Sequence, residues 1–199
     1  PEHPLDQVEP EFDARLRKNR DAKERIARAA LSLIAGQRTV ALDVGTTTFM
    51  LARQIVDRPN LRVFTNSLRI GGLLGASKNE VYVAGGQIRG DEMTVCGPMA
   101  VAQFEQFWFD IAFIGVSGLT EAGLFDYSMD DSELKRVYVR RSTRKVVLCD
   151  ASKFQRMSLV QIATLKEIDM VISEAAPPAE LAAALNEADV AVHIAGAAT

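Results

Sequence analysis

The chain has 199 residues, 48% of them hydrophobic and 25% charged, with a net charge of −3. That size and balance suit one large α/β domain with its own core, and so small a negative charge leaves no global nucleic-acid footprint. No apolar run reaches the roughly 18 residues of a membrane span, no charged-then-apolar leader precedes the chain, and two distant cysteines, Cys96 and Cys149, fit a reduced cytoplasmic setting better than a disulfide scaffold.

Residues 1–14 are rich in proline and acid and read as a linker or frayed end; residues 15–199 read as one domain. From Arg15 to Arg28 the charge turns basic, and Ile26, Ala29, Ala30, Leu33 and Ile34 continue the run as an amphipathic helix ending at Gly36. That basic stretch reads either as a helix facing or leaving a DNA-binding module or as a solvated helix face. Strand-then-helix units follow. Val40 to Asp43 is a strand and Thr47 to Asp57 a helix; Leu61 to Thr65 is a strand, with a helix from Asn66-Ser67 through Leu74. Val81 to Ala84 is a third strand ending at Gly85-Gly86, and Gly97-Pro98 opens a helix towards Phe107. Ile111 to Val116 is the fourth strand, a polar loop spans 119–131, and Ser132 to Ser142 is helical. Lys145 to Cys149, Asp169 to Ser173 and Asp189 to Ile194 complete the strands, with an Ala-rich helix before the last. Short β-rich runs alternating with helices predict a mostly parallel open sheet covered by helices on both faces.

In such a sheet ligands bind beyond the carboxyl ends of the strands. Those ends carry Asp43-Val44-Gly45-Thr46-Thr47-Thr48, Thr65-Asn66-Ser67, Gly85-Gly86, Ser117-Gly118 and Asp150-Ala151-Ser152-Lys153, five polar or glycine-bearing segments expected on one rim. The threonine hydroxyls and first-turn N–H groups after Gly45 suit an oxyanion, whereas the Asp43 carboxylate suits a neutral hydroxyl. A small polyhydroxy phosphate satisfies both. Each segment also has a plainer reading: caps for Asp43, Thr65, Asn66 and Ser67, exposed surface cations for Arg89 and Lys153. No GxGxxG or GxxxxGK[ST] fingerprint is present, and His3 and His193 stand too far apart in the chain to suggest a histidine triad or zinc site.

The ordered series DVGTTT, VFTNS, VAGGQIRGDEMTVCGPMA, DIAFIGVSGL, ELKRVYV and CDASKF, from about Arg15 to Ile172, resembles the effector-sensing domain of DeoR-type bacterial transcriptional repressors. The resemblance implies a fold similar to ribose-5-phosphate isomerase type A, glucosamine-6-phosphate deaminase and CoA transferases, a phosphorylated sugar as effector, and no catalytic residue, metal or cofactor. It further implies a homo-oligomer, dimer or tetramer, that touches DNA only through a winged helix-turn-helix preceding the sensor; such a module has no counterpart in this sequence, and the basic 15–28 stretch becomes its connector. The family's ligand motif falls on Asp43, Gly45, Thr46, Thr47 and Thr48, with Thr65, Asn66 and Ser67 on hydroxyls or phosphate oxygens. Gly85 and Gly86 give backbone access, Arg89 a bidentate charge, Ser117 and Gly118 a rim turn, Glu133 and Lys135 the acidic-x-basic helix start, and Lys153 an anion contact. Glu133 and Lys135 are two apart, so at most one points into the pocket. Where many relatives read Gly-Ala-Asp-Gly, this chain has Gly115-Val116-Ser117-Gly118, a lost carboxylate. Two other readings remain at this point: a sugar-phosphate isomerase or deaminase using Glu133, Asp43 or Asp126 as base, and a nucleotide-binding or purely structural module. Phe104, Phe107, Trp108 and Phe109 read as a subunit interface.

Overall fold

The computed structural model describes residues 5–6, 10–90 and 92–196. Much of the predicted linker, and His3 within it, lies outside the described residues. After a two-residue strand (Leu5–Asp6) paired in parallel with Met157–Ser158 come two helices, α1 (Phe12–Arg17) and α2 (Arg20–Ser32). The predicted single basic helix is thus broken: Asn19 adopts a left-handed conformation (φ 54°, ψ 37°), which asparagine tolerates better than most residues, and the chain turns there. There follow β1 (Thr39–Leu42), α3 (Thr46–Ile55), β2 (Arg62–Thr65), α4 (Leu68–Leu74), β3 (Glu80–Val83), α5 (Pro98–Phe104), β4 (Phe109–Gly115), α6 (Met129–Arg140), β5 (Ser142–Leu148), β6 (Met170–Ser173), α7 (Ala179–Glu187) and β7 (Ala191–Ile194).

The seven strands form one sheet in the order β7-β6-β5-β4-β1-β2-β3, and every pair is parallel. Alternating side chains fill two cores, as the period of a strand requires. Val40, Leu42, Ile111, Phe113, Val146 and Leu148 pack with α2, α3 and α4. Ala41, Ala112, Ile114 and Val147 pack with α5, α6 and α7. The expected parallel sheet with helices on both faces is therefore what the chain forms, with strand ends within a few residues of those read from the pattern.

Three features depart from the pattern. The 119–131 stretch is not an open loop: Gly118–Thr120 and Gly123–Asp126 pair as an antiparallel hairpin, extended by Val160–Ala163. Its strands are short and Gly123 sits at φ 132° against the Ala163 carbonyl, so no apolar alternation announces them. A second hairpin joins Gln87–Arg89 to Thr94–Cys96, behind the predicted Gly85-Gly86 turn. Third, the aromatic cluster divides: Phe104 and Phe109 are buried in the core, and Phe107 (41% exposed) and Trp108 (58% exposed) face outward. Both cysteines are free and buried. Among the described residues no helix is long and apolar enough to cross a membrane.

Candidate functional site

The strand order reverses between β1 and β4, because β1 leads outward to β2 and β3 on one side while β4 leads to β5, β6 and β7 on the other. The loops leaving the two strands diverge there and open a crevice at their carboxyl ends. A cavity occupies this switch point. Its floor and walls include Gly45, Thr46 and Thr47 after β1, Gly115, Val116 and Ser117 at the end of β4, and Asp150, Ser152 and Lys153 after β5. Asp126, Tyr127, Asp131 and Lys135 enter from the hairpin and from α6.

The local sequence explains the shape. Gly45 stands at φ 134°, a conformation side chains rarely adopt, and α3 begins immediately after it. Three threonines then fill the first turn, and they divide in role. Thr48 is buried and donates its hydroxyl to the Gly45 carbonyl (2.9 Å), closing the turn, whereas Thr46 and Thr47 line the cavity.

Beneath the cavity lies a buried charge cluster. The Lys135 ammonium donates to Asp43 Oδ2 and to the Gly115 carbonyl (3.0 Å), and forms an ion pair with Asp126 Oδ2 at 3.1 Å. Asp43 Oδ2 also accepts from Gly115 N at 3.0 Å, while Oδ1, equally buried, accepts no hydrogen bond from a described residue. Two carboxylates thus share one ammonium. Burial works to lower the Lys135 pKa, but the Asp43 and Asp126 charges outweigh it and hold the ammonium above its ordinary range. Burial raises the fully enclosed Asp43 carboxyl to about 7, with Lys135 opposing the rise only in part.

Cations gather at the opposite side. Lys23 is 4% exposed, lines the cavity, and has Asp150, Lys153, Arg15 and Lys18 as its charged neighbours. Burial first, then three like charges, lower its pKa to about 8 against the attraction of Asp150. The cavity therefore has a carboxylate-and-lysine end around Lys135 and a lysine-rich end around Lys23 and Lys153.

Of the residues picked out from sequence, the structure brings together Gly45, Thr46, Thr47, Ser117, Lys135 and Lys153 at the cavity, with Asp43 enclosed behind Lys135. The Ser117 hydroxyl donates to the Phe125 carbonyl and shares a hydrogen bond with Ser158 Oγ (2.7 Å), so it ties the rim turn to the hairpin region. The rest lie elsewhere, and those at the ends of β2 and β3 have their polar groups engaged. Thr65 Oγ1 accepts from Ser67 N, and Ser67 Oγ caps α4 by accepting from Ile70 N. Asn66 donates through Nδ2 to the Val95 carbonyl (3.3 Å) and through its backbone N–H to the Tyr138 hydroxyl, which in turn donates to Asn66 Oδ1 (2.8 Å). Gly85 N donates to Gln103 Oε1 and Gly86 packs closely on the Cys96 carbonyl. Gly118 likewise has no room for a side chain beside the Arg156 carbonyl. Arg89 pairs with Asp131, one shell outside the cavity wall. Glu133 is exposed in a separate groove with Arg136 and Arg140, so of the 133/135 pair only Lys135 reaches the cavity.

Tyr138→Phe is expected to leave both Asn66 groups unpaired in a buried setting and to lower stability by about 1–3 kcal/mol, read by urea denaturation. An unchanged midpoint would show that the Asn66–Tyr138 link contributes nothing.

Sequence reasoning missed Lys18, Asn19 and Lys23. One signal was present: Lys23 falls in the helical stripe of Ala22, Ile26, Ala27 and Ala30, where a lysine is out of place on a solvated face.

The family model for the DeoR C terminal sensor domain matches residues 18–175. The HTH-type transcriptional regulator GlpR of Haloferax volcanii is 33% identical over 175 residues, a match covering 87% of this chain and 69% of that protein. The glycerol-3-phosphate regulon repressor of Escherichia coli is 28% identical over 169 residues, covering 84% of this chain and 67% of that protein. Among solved structures, ribose 5-phosphate isomerase A of Methanocaldococcus jannaschii superposes with a TM-score of 0.51 at 20% identity, over 69% of this chain and 55% of that one. At that identity the isomerase likeness speaks for the fold alone, and this chain spans about half the isomerase's length. With four-fifths of its length under one family model and a regulator 33% identical over 87% of this chain, the chain belongs to the DeoR family, as its C-terminal sensor domain.

Proposed function

We propose that this chain senses a small phosphorylated sugar or related polyhydroxy anion at the switch-point cavity, and that occupancy modulates DNA binding by a regulator of which the sensor is one part. The observation that carries the reading is the division of the cavity into two chemical ends. Asp126, Lys135 and the Thr46 and Thr47 hydroxyls offer donors and acceptors for sugar hydroxyls. Lys23, Lys153 and the N-terminal turn of α3 offer positive charge and N–H groups for a phosphate. Relatives named as transcriptional regulators support the regulatory role, and one named for the glycerol-3-phosphate regulon supports a phosphorylated ligand.

Turnover of the ligand finds less support. Glu133, the carboxylate offered as a base, is exposed outside the cavity, and Asp43 and Asp126 are both engaged by Lys135. Self-association, if the full regulator works as an oligomer, has Phe107 and Trp108 as its exposed aromatic contribution.

The test is a thermal-shift screen with ribose 5-phosphate, glycerol 3-phosphate and glucosamine 6-phosphate, each beside its unphosphorylated counterpart. A ligand at about 100 times its Kd stabilises by about 2.7 kcal/mol, which in a chain of this size raises Tm by roughly 5–10 °C. Thr47→Val and Asp126→Asn are expected to weaken that response at least fivefold in midpoint concentration (about 1 kcal/mol). Failure of every phosphorylated compound to shift Tm, or catalytic conversion of the one that does, would sink the reading.

A further inference from the structure

The elbow between α1 and α2 is built over the cavity. Asn19, at the bend, donates through Nδ2 to Asp150 Oδ1 (3.0 Å). Arg15 pairs with Glu92, and both residues line the cavity. Phe12 holds the far end of α1 by packing edge-on against Phe49 (5.7 Å between centroids) beneath the Arg69 guanidinium (4.3 Å).

Lys23 is the residue that this arrangement leaves unexplained as structure alone. A buried ammonium is costly unless hydrogen-bonded and paired. Its hydrogen bonds go to the Arg15 and Lys18 carbonyls, the latter at 2.7 Å, where the positive charge caps the C-terminal end of α1. Those two bonds use two of its three N–H groups. No carboxylate of a described residue stands within ion-pair distance of it. The carboxylate that acts on it, Asp150, already accepts from Asn19 Nδ2, Ser152 N and Ser152 Oγ. Lys18 and Lys153 add two further cations around the same space. Three lysines from two distant segments converge there, with one preoccupied carboxylate among them.

We propose that the α1–α2 elbow is itself part of the binding site, with Lys18 and Lys23 joining Lys153 to hold the anionic end of the ligand, so that occupancy clamps the elbow onto the sheet rim. This rests on reading the cavity as an effector site and adds which groups take the charge and which element responds. A dianion meets Lys23's remaining N–H and draws in the exposed Lys18 side chain from one wall, and Lys153 from the other. The ligand then bridges α1–α2 to the loop after β5, adding to the Asn19–Asp150 hydrogen bond that already joins them. The clamp stiffens the segment immediately before the sheet, which makes ligand binding and connector geometry a single equilibrium.

The experiment uses the same three sugar phosphates, their unphosphorylated counterparts, and inorganic phosphate. The best binder is titrated against Lys18→Ala, Lys153→Ala and Lys23→Met, with Thr47→Val as the control on the sheet side. Each lysine variant is expected to weaken the phosphorylated ligand about tenfold or more and to leave the unphosphorylated counterpart unchanged. Amide hydrogen exchange across Phe12–Ser32 is expected to slow about fivefold or more on saturation. Lys18 and Lys153 are not buried, so their variants decide the matter even if Lys23→Met fails to fold. Unaltered affinity in Lys18→Ala and Lys153→Ala, with binding still sensitive to Thr47→Val, overturns the elbow's role and leaves the effector site standing. Unaltered exchange in the elbow at saturation also overturns the clamp. If no compound binds, the effector reading falls and this inference falls with it.

Discussion

Lys135→Met is expected to destabilise the fold by about 3–5 kcal/mol at pH 7, the usual cost of stripping one partner from a buried ion pair. The ammonium is 2% exposed and holds two carboxylates and a carbonyl, so its loss leaves Asp43 and Asp126 facing each other without compensation. Methionine fills most of the volume, which separates the charge effect from a cavity effect. In a chain of this length the loss corresponds to a Tm drop of roughly 6–20 °C. The deficit is expected to shrink as pH falls from 8 to 5, because a proton on Asp43 then does part of the work of the missing ammonium. Adding Asp43→Asn to Lys135→Met is expected to restore part of the stability, as coupled neighbours do. Equal and additive losses at every pH would show that the cluster is not an electrostatic unit.

The second large effect concerns pH. Asp43 ionises near 3.8 in an ordinary setting and at about 7 in the fold. Between those values the folded state holds a proton that the unfolded chain has lost. The contribution of Asp43 to stability is therefore fully present below pH 4 and disappears as pH rises through about 7. Across that window stability therefore falls as pH rises, the sign set by the one proton that only the folded state holds. Asp43→Asn removes the titrating group while keeping an acceptor for Gly115 N. Urea midpoints measured at pH 5, 6, 7 and 8 are expected to fall for the native chain relative to the variant. Parallel curves would place the proton elsewhere.

The same cluster bears on sensing. Asp43 does not line the cavity, so a ligand meets its charge through Lys135. A hydroxyl that takes part of Lys135's attention shifts the balance between the two carboxylates beneath it. A carboxyl poised near neutrality is the group most easily tipped by such a change.

How much was legible beforehand depends on the range of the interaction involved. Val40 to Leu42, Arg62 to Thr65 and Ile111 to Gly115 were readable because β-rich apolar runs carry their own period and both faces are buried. Asp43, Gly45 and the three threonines were readable because a glycine turn before a helix is local backbone chemistry. The hairpin over Gly118–Asp126 was not, since its residues are buried by α6 and the Val160–Ala163 strand rather than by any pattern of their own. Nor was the break at Asn19, where one residue in a left-handed conformation leaves the helical periodicity on either side intact.

The amino-acid sequence by itself determined the class of fold, the parallel strand-helix alternation, the glycine-threonine turn and the family, because each rests on contacts between near neighbours or on ordered motifs. Only the tertiary structure decided which polar segments meet. Five strand ends carry suitable chemistry, but the reversal of strand order sits between β1 and β4, so the loops after β1, β4 and β5 share a cavity. Those after β2 and β3 spend their hydrogen bonds on Tyr138, Val95, Ile70 and Gln103. The same three-dimensional packing turned Lys23 from one charge in a basic run into a buried cation at the rim. A residue's partner across the fold is set by strand order and helix docking, and neither is written in the spacing along the chain.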